Sequence, residues 1–255
     1  MTGFARALRE ADRTLVGTWV KIPSLETVEI LGLAGFDFVV IDMEHAPLDL
    51  QSAYAATVVA QGTGMQVLVR VPDRSGSHLQ RLLDSGVDGL LVPRVESGDQ
   101  AAAAALGMTF SPDGWRGNGS TSRAGRWGGI DLATYLARGD DVLRAVQVED
   151  LGGLRRAAEI LSVPHLNGAF VGMGDLQLSS GLGAADPVVR DAVAGFLAEA
   201  AARRIPVGTA VQTPEQVEAA ARLGYSFVMV SNDTGILRGA ATDLVGDVRA
   251  RLASL

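Results

Sequence analysis

Short apolar runs alternate along the chain with longer stretches in which apolar residues recur at helical spacing. The runs are predominantly apolar, as expected of parallel strands that helices cover on both faces. Eight such runs occur, at residues 15–20, 38–41, 66–71, 89–92, 143–148, 168–171, 206–210 and 227–230. This pattern predicts eight buried strands.

Helical patterns fill the intervals between these runs. They cover residues 25–33, 79–84, 99–106, 154–161, 188–202 and 214–223. Glycine follows several of them, for example Gly35, Gly86 and Gly224, as is common at helix C-caps. Strand and helix alternate without a change in composition, which predicts one α/β domain over residues 1–255. The count of eight favours a (β/α)₈ barrel over an open doubly wound sheet, and the first strand lacks the Gly-x-Gly-x-x-Gly turn of such sheets.

Two segments depart from this alternation. Residues 3–12 predict an amphipathic N-terminal helix. Residues 111–129 hold six glycines, two tryptophans and three arginines without periodicity, which fits either a disordered insertion or an ordered loop. Trp115 and Trp127 favour the ordered loop, because two indoles are costly to leave in water. A long ordered loop after the fourth strand is expected to form a lid over the C-terminal mouth of the barrel.

Composition narrows the class of protein. The net charge of −7 argues against nucleic acid or an anionic membrane as a partner. The chain has no uncharged apolar stretch near the roughly 18 residues of a membrane span and no recognisable targeting segment, so we expect a cytoplasmic protein. With no cysteine, thiolate chemistry and zinc–thiolate sites are excluded. Lys21 is the only lysine, so any Schiff-base mechanism must use it.

Candidate chemistry lies at the C-terminal strand ends, where barrel enzymes place their sites. Glu149 and Asp175 follow neighbouring strands and would repel each other unless a cation lay between them, which predicts Mg²⁺ or Mn²⁺. Alternatively, each acid caps the helix that follows it. His45 is either a general base held by a carboxylate or a surface histidine. Arg70 ends an apolar strand and must meet either a structural acid or a substrate oxyanion.

Several segments together resemble the HpcH/HpaI aldolases, class II enzymes that act on 4-hydroxy-2-oxo acids. The specific parts are the Glu-His-Ala-Pro stretch and the two acidic segments, and the resemblance covers nearly the whole chain. The matching segments are Gly17-Thr18-Trp19, residues 34–38, Asp42-Met43-Glu44-His45-Ala46-Pro47, residues 91–96, Gly114-Trp115-Arg116-Gly117, residues 146–149 and Gly172-Met173-Gly174-Asp175-Leu176.

The resemblance implies a role for each matching residue. Glu149 and Asp175 would bind a divalent cation (Mg²⁺, Mn²⁺ or Co²⁺), and Arg70 would contact the keto oxygen of pyruvate. His45 would be the catalytic histidine with Asp42 as its partner. The residues expected to line the pyruvate site are Trp19, Gln147 and Gly174.

These roles imply cleavage of a 4-hydroxy-2-oxo acid to pyruvate and an aldehyde through a pyruvate enolate, with side decarboxylation of oxaloacetate. A Schiff-base aldolase using Lys21 and a non-catalytic barrel that binds an oxo acid remain alternatives. The family pattern also implies a homo-oligomer, typically a hexamer, in which Asp84 reaches the site of a neighbouring subunit. Two departures are visible: the usual Gly-Pro-x-Asp-Leu lacks its proline at Met173, and the loop over residues 118–127 is one residue short.

Overall fold

The apolar runs form eight parallel strands that close into a barrel. The structure, a computed structural model, describes residues 3–255, and residues 1 and 2 of the predicted domain lie outside the described part. The strands are β1 Leu15–Val20, β2 Phe38–Asp42, β3 Gln66–Arg70, β4 Gly89–Val92, β5 Leu143–Val148, β6 Gly168–Val171, β7 Val207–Val211 and β8 Phe227–Asn232. Each strand pairs with the next and β1 pairs with β8, which confirms the (β/α)₈ barrel.

Helices surround the barrel. They are α1 Phe4–Glu10, α2 Leu25–Leu33, α3 Leu50–Gly62, α4 Leu79–Asp84, α5 Gly98–Met108, α6 Leu132–Asp140, α7 Leu151–Arg155, α8 Ala157–Leu161, α9 Met173–Ser180, α10 Pro187–Arg203, α11 Pro214–Arg222 and α12 Asp233–Leu252. Most begin at a side chain that accepts a backbone N–H of the first turn, such as Ser24, Asp49, Thr213 and Asn232. The single helix predicted over residues 154–161 is instead divided at Arg156.

Aromatic rings fill the N-terminal end of the barrel. Phe4 of α1 lies 5.1 Å from Phe38 and 6.2 Å from Phe227, ring centre to ring centre, and all three are fully buried. Phe38 and Phe227 are the first residues of β2 and β8. Because Phe4 packs against both, α1 covers the N-terminal end of the barrel. Gly208 makes room for the packing, because a Cβ at this position would come within 2.2 Å of the Phe227 ring.

The predicted lid lies at the opposite end of its own barrel. Residues 111–129 follow α5, which has already returned the chain from the mouth to the N-terminal end. Arg123 donates to the carbonyl oxygens of Ser85 and Gly86 and to the side-chain oxygen of Gln61, at the C-terminal ends of α4 and α3. The segment is ordered as expected, but its placement over the mouth of its own barrel was wrong.

Two apolar surfaces lack cover within the described chain. The indoles of the loop are exposed, Trp115 at 65% and Trp127 at 69%, so the expectation that the fold shields them is also wrong. Helix α12 buries only Asp233. It exposes a series of large apolar residues: Ile236, Leu237, Leu244, Val245, Val248 and Leu252.

No helix within residues 3–255 combines the length and the apolar character needed to cross a bilayer.

Candidate active site

A buried ion pair joins the ends of β2 and β3. Asp42 and Arg70 are paired in the strand register, so their side chains leave adjacent strands at the same level. Arg70 donates from Nε to Oδ1 of Asp42 at 2.9 Å and from Nη2 to Oδ2 at 2.7 Å. This two-pronged contact fixes the plane of the guanidinium group.

Lys21 is a second cation on the same carboxylate. It follows β1, and its ammonium group donates to Oδ2 of Asp42. Burial alone would raise the pKa of Asp42, but the hydrogen bonds and charge of Arg70, together with Lys21 and the backbone N–H of His45, lower it to about 2. The side chain of Lys21 is 24% exposed, so it lies partly buried at the site.

Trp19 completes the setting of Arg70. The indole comes from β1, and the guanidinium carbon lies 4.3 Å from its ring centre. A cation over an aromatic face is stabilised by the ring quadrupole, more strongly where water is excluded. Both Trp19 and Arg70 are buried, so Arg70 is held by its edge and by its face.

Glu44 lies between two arginines. Its side chain is only 5% exposed, and its carboxylate oxygens lie 3.2 Å from Nη1 of Arg70 and 3.0 Å from Nη2 of Arg94. Sequence reasoning noted Glu44 beyond the second strand but gave it no role, and it gave none to Arg94. The arginine directly after Pro93, at a strand end, was the available signal.

His45 is the exposed member of the group. Its side chain is 48% exposed, and its Nε2 lies 3.7 Å from Oε2 of Glu44. Asp42 instead accepts the backbone N–H groups of Glu44 and His45, each at 3.1 Å. The expected pairing of Asp42 with the imidazole is therefore corrected: the carboxylate is occupied by Arg70 and Lys21, and it orients the backbone of the turn that carries His45.

Two carboxylates and an amide form the other side of the site. Gln147, near the end of β5, donates from Nε2 to Oε2 of Glu149. The Oε1 atom of Gln147 is buried and has no hydrogen-bond partner. Burial raises the pKa of Glu149; the Gln147 hydrogen bond and Arg70 oppose the rise, while the charges of Asp175 and Glu44 add to it.

Glycines open the space around these groups. A Cβ on Gly172 would come within 2.9 Å of the Glu149 carboxylate and 3.1 Å of the Gln147 amide nitrogen, whereas a Cβ on Gly174 would meet nothing within 4 Å. Asp175 is exposed in the first turn of α9, where the helix dipole favours an acid. The helix begins at Met173, so it holds the backbone of Asp175 although the family proline is absent.

The donor set fits a divalent cation. No group of three or more histidine, cysteine or acidic side chains arranged for a metal occurs in residues 3–255. Mg²⁺ nevertheless binds commonly through one or two carboxylates, with water and substrate oxygens completing its shell. Glu149 with its raised pKa, the charge of Asp175 and the unpartnered oxygen of Gln147 are the features that such a cation would relieve.

Asp84 lies away from these groups. It ends α4 at the N-terminal end of the barrel, where Arg116 Nη2 donates to Oδ1 at 3.0 Å and the Tyr135 hydroxyl at 3.3 Å. The structure therefore brings together all the predicted site residues except Asp84. Within its own chain, Asp84 anchors the loop over residues 111–129.

A closed α/β barrel with a buried cluster of ionised groups at its C-terminal mouth has the architecture of a barrel enzyme. Residues 15–240 match the family model for HpcH/HpaI aldolase/citrate lyase. The chain belongs to this family, and it is an aldolase, that is, a carbon–carbon lyase.

Curated relatives and a solved structure agree with this assignment. The chain is 33% identical over 244 residues to a 2-dehydro-3,6-dideoxy-6-sulfogluconate aldolase of Pseudomonas putida, covering 93% of this chain and 94% of the relative. It is 32% identical to a 5-keto-4-deoxy-D-glucarate aldolase of Klebsiella pneumoniae, with 94% of each chain covered. An HpcH/HpaI aldolase/citrate lyase family protein of Burkholderia cenocepacia superimposes with a TM-score of 0.89 at 31% identity, covering 98% of this chain and all of that one.

Proposed function

We propose that the protein cleaves 4-hydroxy-2-oxo acids reversibly to pyruvate and an aldehyde, with Mg²⁺, Mn²⁺ or Co²⁺ held by Glu149 and Asp175. The observation that carries the proposal is a buried carboxylate with a raised pKa, beside a second acid and facing the fixed guanidinium of Arg70. A divalent cation bound there would act as a Lewis acid that favours an enolate. The names of the two curated relatives, both aldolases of acidic deoxy sugars, support an oxo-acid substrate.

Arg70 would bind the keto oxygen of the pyruvate portion. Asp42 and Trp19 hold its guanidinium in one orientation before substrate arrives. Preorganised donors stabilise developing negative charge without a reorganisation cost during the reaction. Gln147 would act on the same portion through Glu149, because its Nε2 donates to that carboxylate and holds it in place.

His45 would move the proton of the 4-hydroxyl group. It is exposed at the mouth and close to Glu44, so its imidazole can reach a substrate that enters from solvent. During cleavage it accepts the hydroxyl proton, and during addition it returns that proton to the new alkoxide. Loss of carbon dioxide from oxaloacetate gives the same enolate without this proton transfer, so side decarboxylation is expected.

Metal dependence is the deciding test. Excess EDTA should abolish aldol cleavage, and Mn²⁺ or Mg²⁺ should restore it. Calorimetric titration with Mn²⁺ should detect binding to the wild type and not to Glu149→Gln. Full activity in chelator would refute the metal-dependent reaction.

The two alternative functions predict different results. Borohydride with pyruvate should leave Lys21 unlabelled, and a trapped adduct would establish the Schiff-base aldolase. Exchange of the C3 protons of pyruvate into D₂O should require metal, and a barrel that only binds an oxo acid would show no exchange.

We also propose that the protein is a homo-oligomer, with a hexamer as the expected form. The exposed apolar face of α12 and the exposed indoles of Trp115 and Trp127 support contact with further copies of this chain. Asp84 lies at the end of its own barrel remote from the mouth, so it can serve only a neighbouring site. Light scattering gives the assembly size, and a fully active monomer would refute the proposal.

Mixed assemblies test the role of Asp84. Asp84→Ala and Glu149→Ala subunits, mixed under dissociating conditions and reassembled, should recover activity that neither shows alone. Asp84→Asn keeps the shape of the side chain and separates the loss of charge from a disturbed loop. Unchanged kinetics of Asp84→Ala with every aldehyde would remove Asp84 from the reaction.

A further inference from the structure

Arg94 has an unusual backbone for an arginine. It follows β4 at the mouth of the barrel and has a φ of 56°, a left-handed conformation that side chains with a Cβ rarely adopt. The next residue holds it there, because Val95 is fully buried and its N–H donates to the Gln147 carbonyl at 2.9 Å. Strain that the surroundings enforce in this way is typical of functional sites.

The charge of Arg94 is only partly balanced. Its side chain is 64% exposed, and Glu44 is the only carboxylate within ion-pairing distance of it among residues 3–255. Glu44 also faces Arg70, so one buried carboxylate serves two guanidinium groups. A monodentate contact through Nη2 leaves other N–H donors of Arg94 directed to solvent.

The two sides of the site differ in net charge. The ion-paired cluster at the ends of β1 to β4 holds three cations, Lys21, Arg70 and Arg94, against two carboxylates, Asp42 and Glu44. The other side carries Glu149 and Asp175. The cationic excess is local, since the whole chain has a net charge of −7, and Arg94 is its most exposed member.

The chemistry of the proposed substrate indicates which of its groups the local excess of positive charge could bind. If the reaction is the proposed one, the pyruvate portion takes up Arg70 and the side of Glu149 and Asp175. The carboxylate of Glu44 lies between Arg94 and Arg70. Arg94 therefore stays available to the remaining portion of the substrate. A guanidinium group with free N–H donors at the mouth of the barrel can bind an oxyanion through charge-assisted hydrogen bonds.

We propose that Arg94 is a specificity-determining residue that binds an anionic group on the aldehyde portion of the substrate. The inference rests on the proposed aldol reaction. It predicts that the preferred substrates are oxo acids that carry a carboxylate, sulfonate or phosphate at the end remote from the pyruvate portion.

Matched aldehydes test the proposal. Aldol addition of pyruvate is measured with succinic semialdehyde against methyl 4-oxobutanoate, and with D-glyceraldehyde 3-phosphate against D-glyceraldehyde. Each pair differs mainly by one anionic group, and the two pairs distinguish a carboxylate from a phosphate. Arg94→Met should lower kcat/KM for the anionic member by about tenfold and for the neutral member by less than about twofold, as expected for loss of one charge-assisted hydrogen bond.

Three further variants control for charge and folding. Arg94→Gly removes the cation and relieves the left-handed backbone, so it should lose selectivity without losing thermal stability. Arg94→Lys should keep part of the selectivity. Arg222→Met removes an arginine from an exposed pair with Glu218 on α11, and it should change neither ratio.

Equal losses for both members of each pair would overturn the inference and make Arg94 a support for Glu44. A wild type without preference for the anionic member would overturn it as well. Metal-dependent exchange of the C3 protons of pyruvate in the wild type tests the proposed function by itself. Its absence would refute that function and this inference together, whereas exchange without anion preference would refute only the inference.

Discussion

Ionised groups are buried at both ends of the barrel, but they are balanced differently. At the N-terminal end, Arg144 donates to the carbonyl oxygens of His165 at 2.6 Å and Gly139 at 3.0 Å. At the mouth, Glu149 retains a raised pKa beside Asp175, and the buried oxygen of Gln147 has no partner. Buried charge that the chain itself satisfies indicates structure, whereas charge that it leaves unsatisfied indicates a place for ligands.

The largest expected effects come from Arg70 and His45. Arg70 serves the enolate, which every partial reaction shares, so Arg70→Ala should lose aldol cleavage, pyruvate exchange and oxaloacetate decarboxylation together. His45 serves only the 4-hydroxyl proton. His45→Ala should reduce aldol cleavage by about 10²–10⁴-fold, typical of acid–base groups, and decarboxylation least. Steady-state kinetics of both reactions decide, and equal losses for His45→Ala would contradict this division of labour.

Arg144, at the N-terminal end, should affect stability and not chemistry. Arg144→Met removes the charge-assisted hydrogen bonds to the carbonyl oxygens of His165 and Gly139, which should lower the free energy of unfolding by about 2–3 kcal/mol. Urea denaturation measures the loss. Activity per folded molecule should stay near that of the wild type, and a strong loss of turnover in the folded variant would contradict the assignment of Arg144 to structure.

Glu149→Gln is the matched variant at the mouth. Because burial raises the pKa of Glu149, its ionised form destabilises the fold above the usual pKa of a glutamate, and the cost is absent at low pH. In EDTA, the neutral amide should therefore leave the melting temperature at pH 7 unchanged or higher while activity is lost. A lower melting temperature that is the same at pH 4 and pH 7 would contradict this explanation.

Asp42 should give the opposite dependence on pH. Its pKa is lowered from 3.8 to about 2, so its ion pairs stabilise the fold above the unfolded pKa, and this stability is lost as pH falls through the folded one. The shift corresponds to about 2 kcal/mol, lost between about pH 4 and pH 2. Asp42→Asn should remove this part of the acid transition in urea titrations, and an unchanged acid dependence would refute it.

The sequence predicted the barrel well because parallel strands buried on both faces are apolar without interruption, as β4 and β6 are. It placed residues 111–129 as if they followed the fourth strand directly, although the helix predicted over residues 99–106 lies between them and returns the chain to the N-terminal end of the barrel. The pairing of Asp42 with His45 came from the family resemblance. Which side chain pairs with Asp42 depends on side-chain directions. The register of β2 and β3 places Asp42 opposite Arg70, and the imidazole of His45 lies near Glu44. The left-handed backbone of Arg94 could not be predicted, because glycine or asparagine is the residue that usually signals this conformation.

The smallest effect is expected at Lys21, which tests whether the cations of the mouth are catalytic or supporting. Schiff-base lysines are activated by burial in apolar surroundings or by a cationic neighbour, and the neighbour of Lys21 is the carboxylate of Asp42. Arg70 keeps its two hydrogen bonds to Asp42 when Lys21 is removed, so Lys21→Met should retain most turnover, within about threefold, as for a partly exposed ion pair. Lys21→Arg keeps the charge and should lie between the variant and the wild type. Turnover abolished in folded Lys21→Met would show that the second cation on Asp42 is needed to hold Arg70 in place.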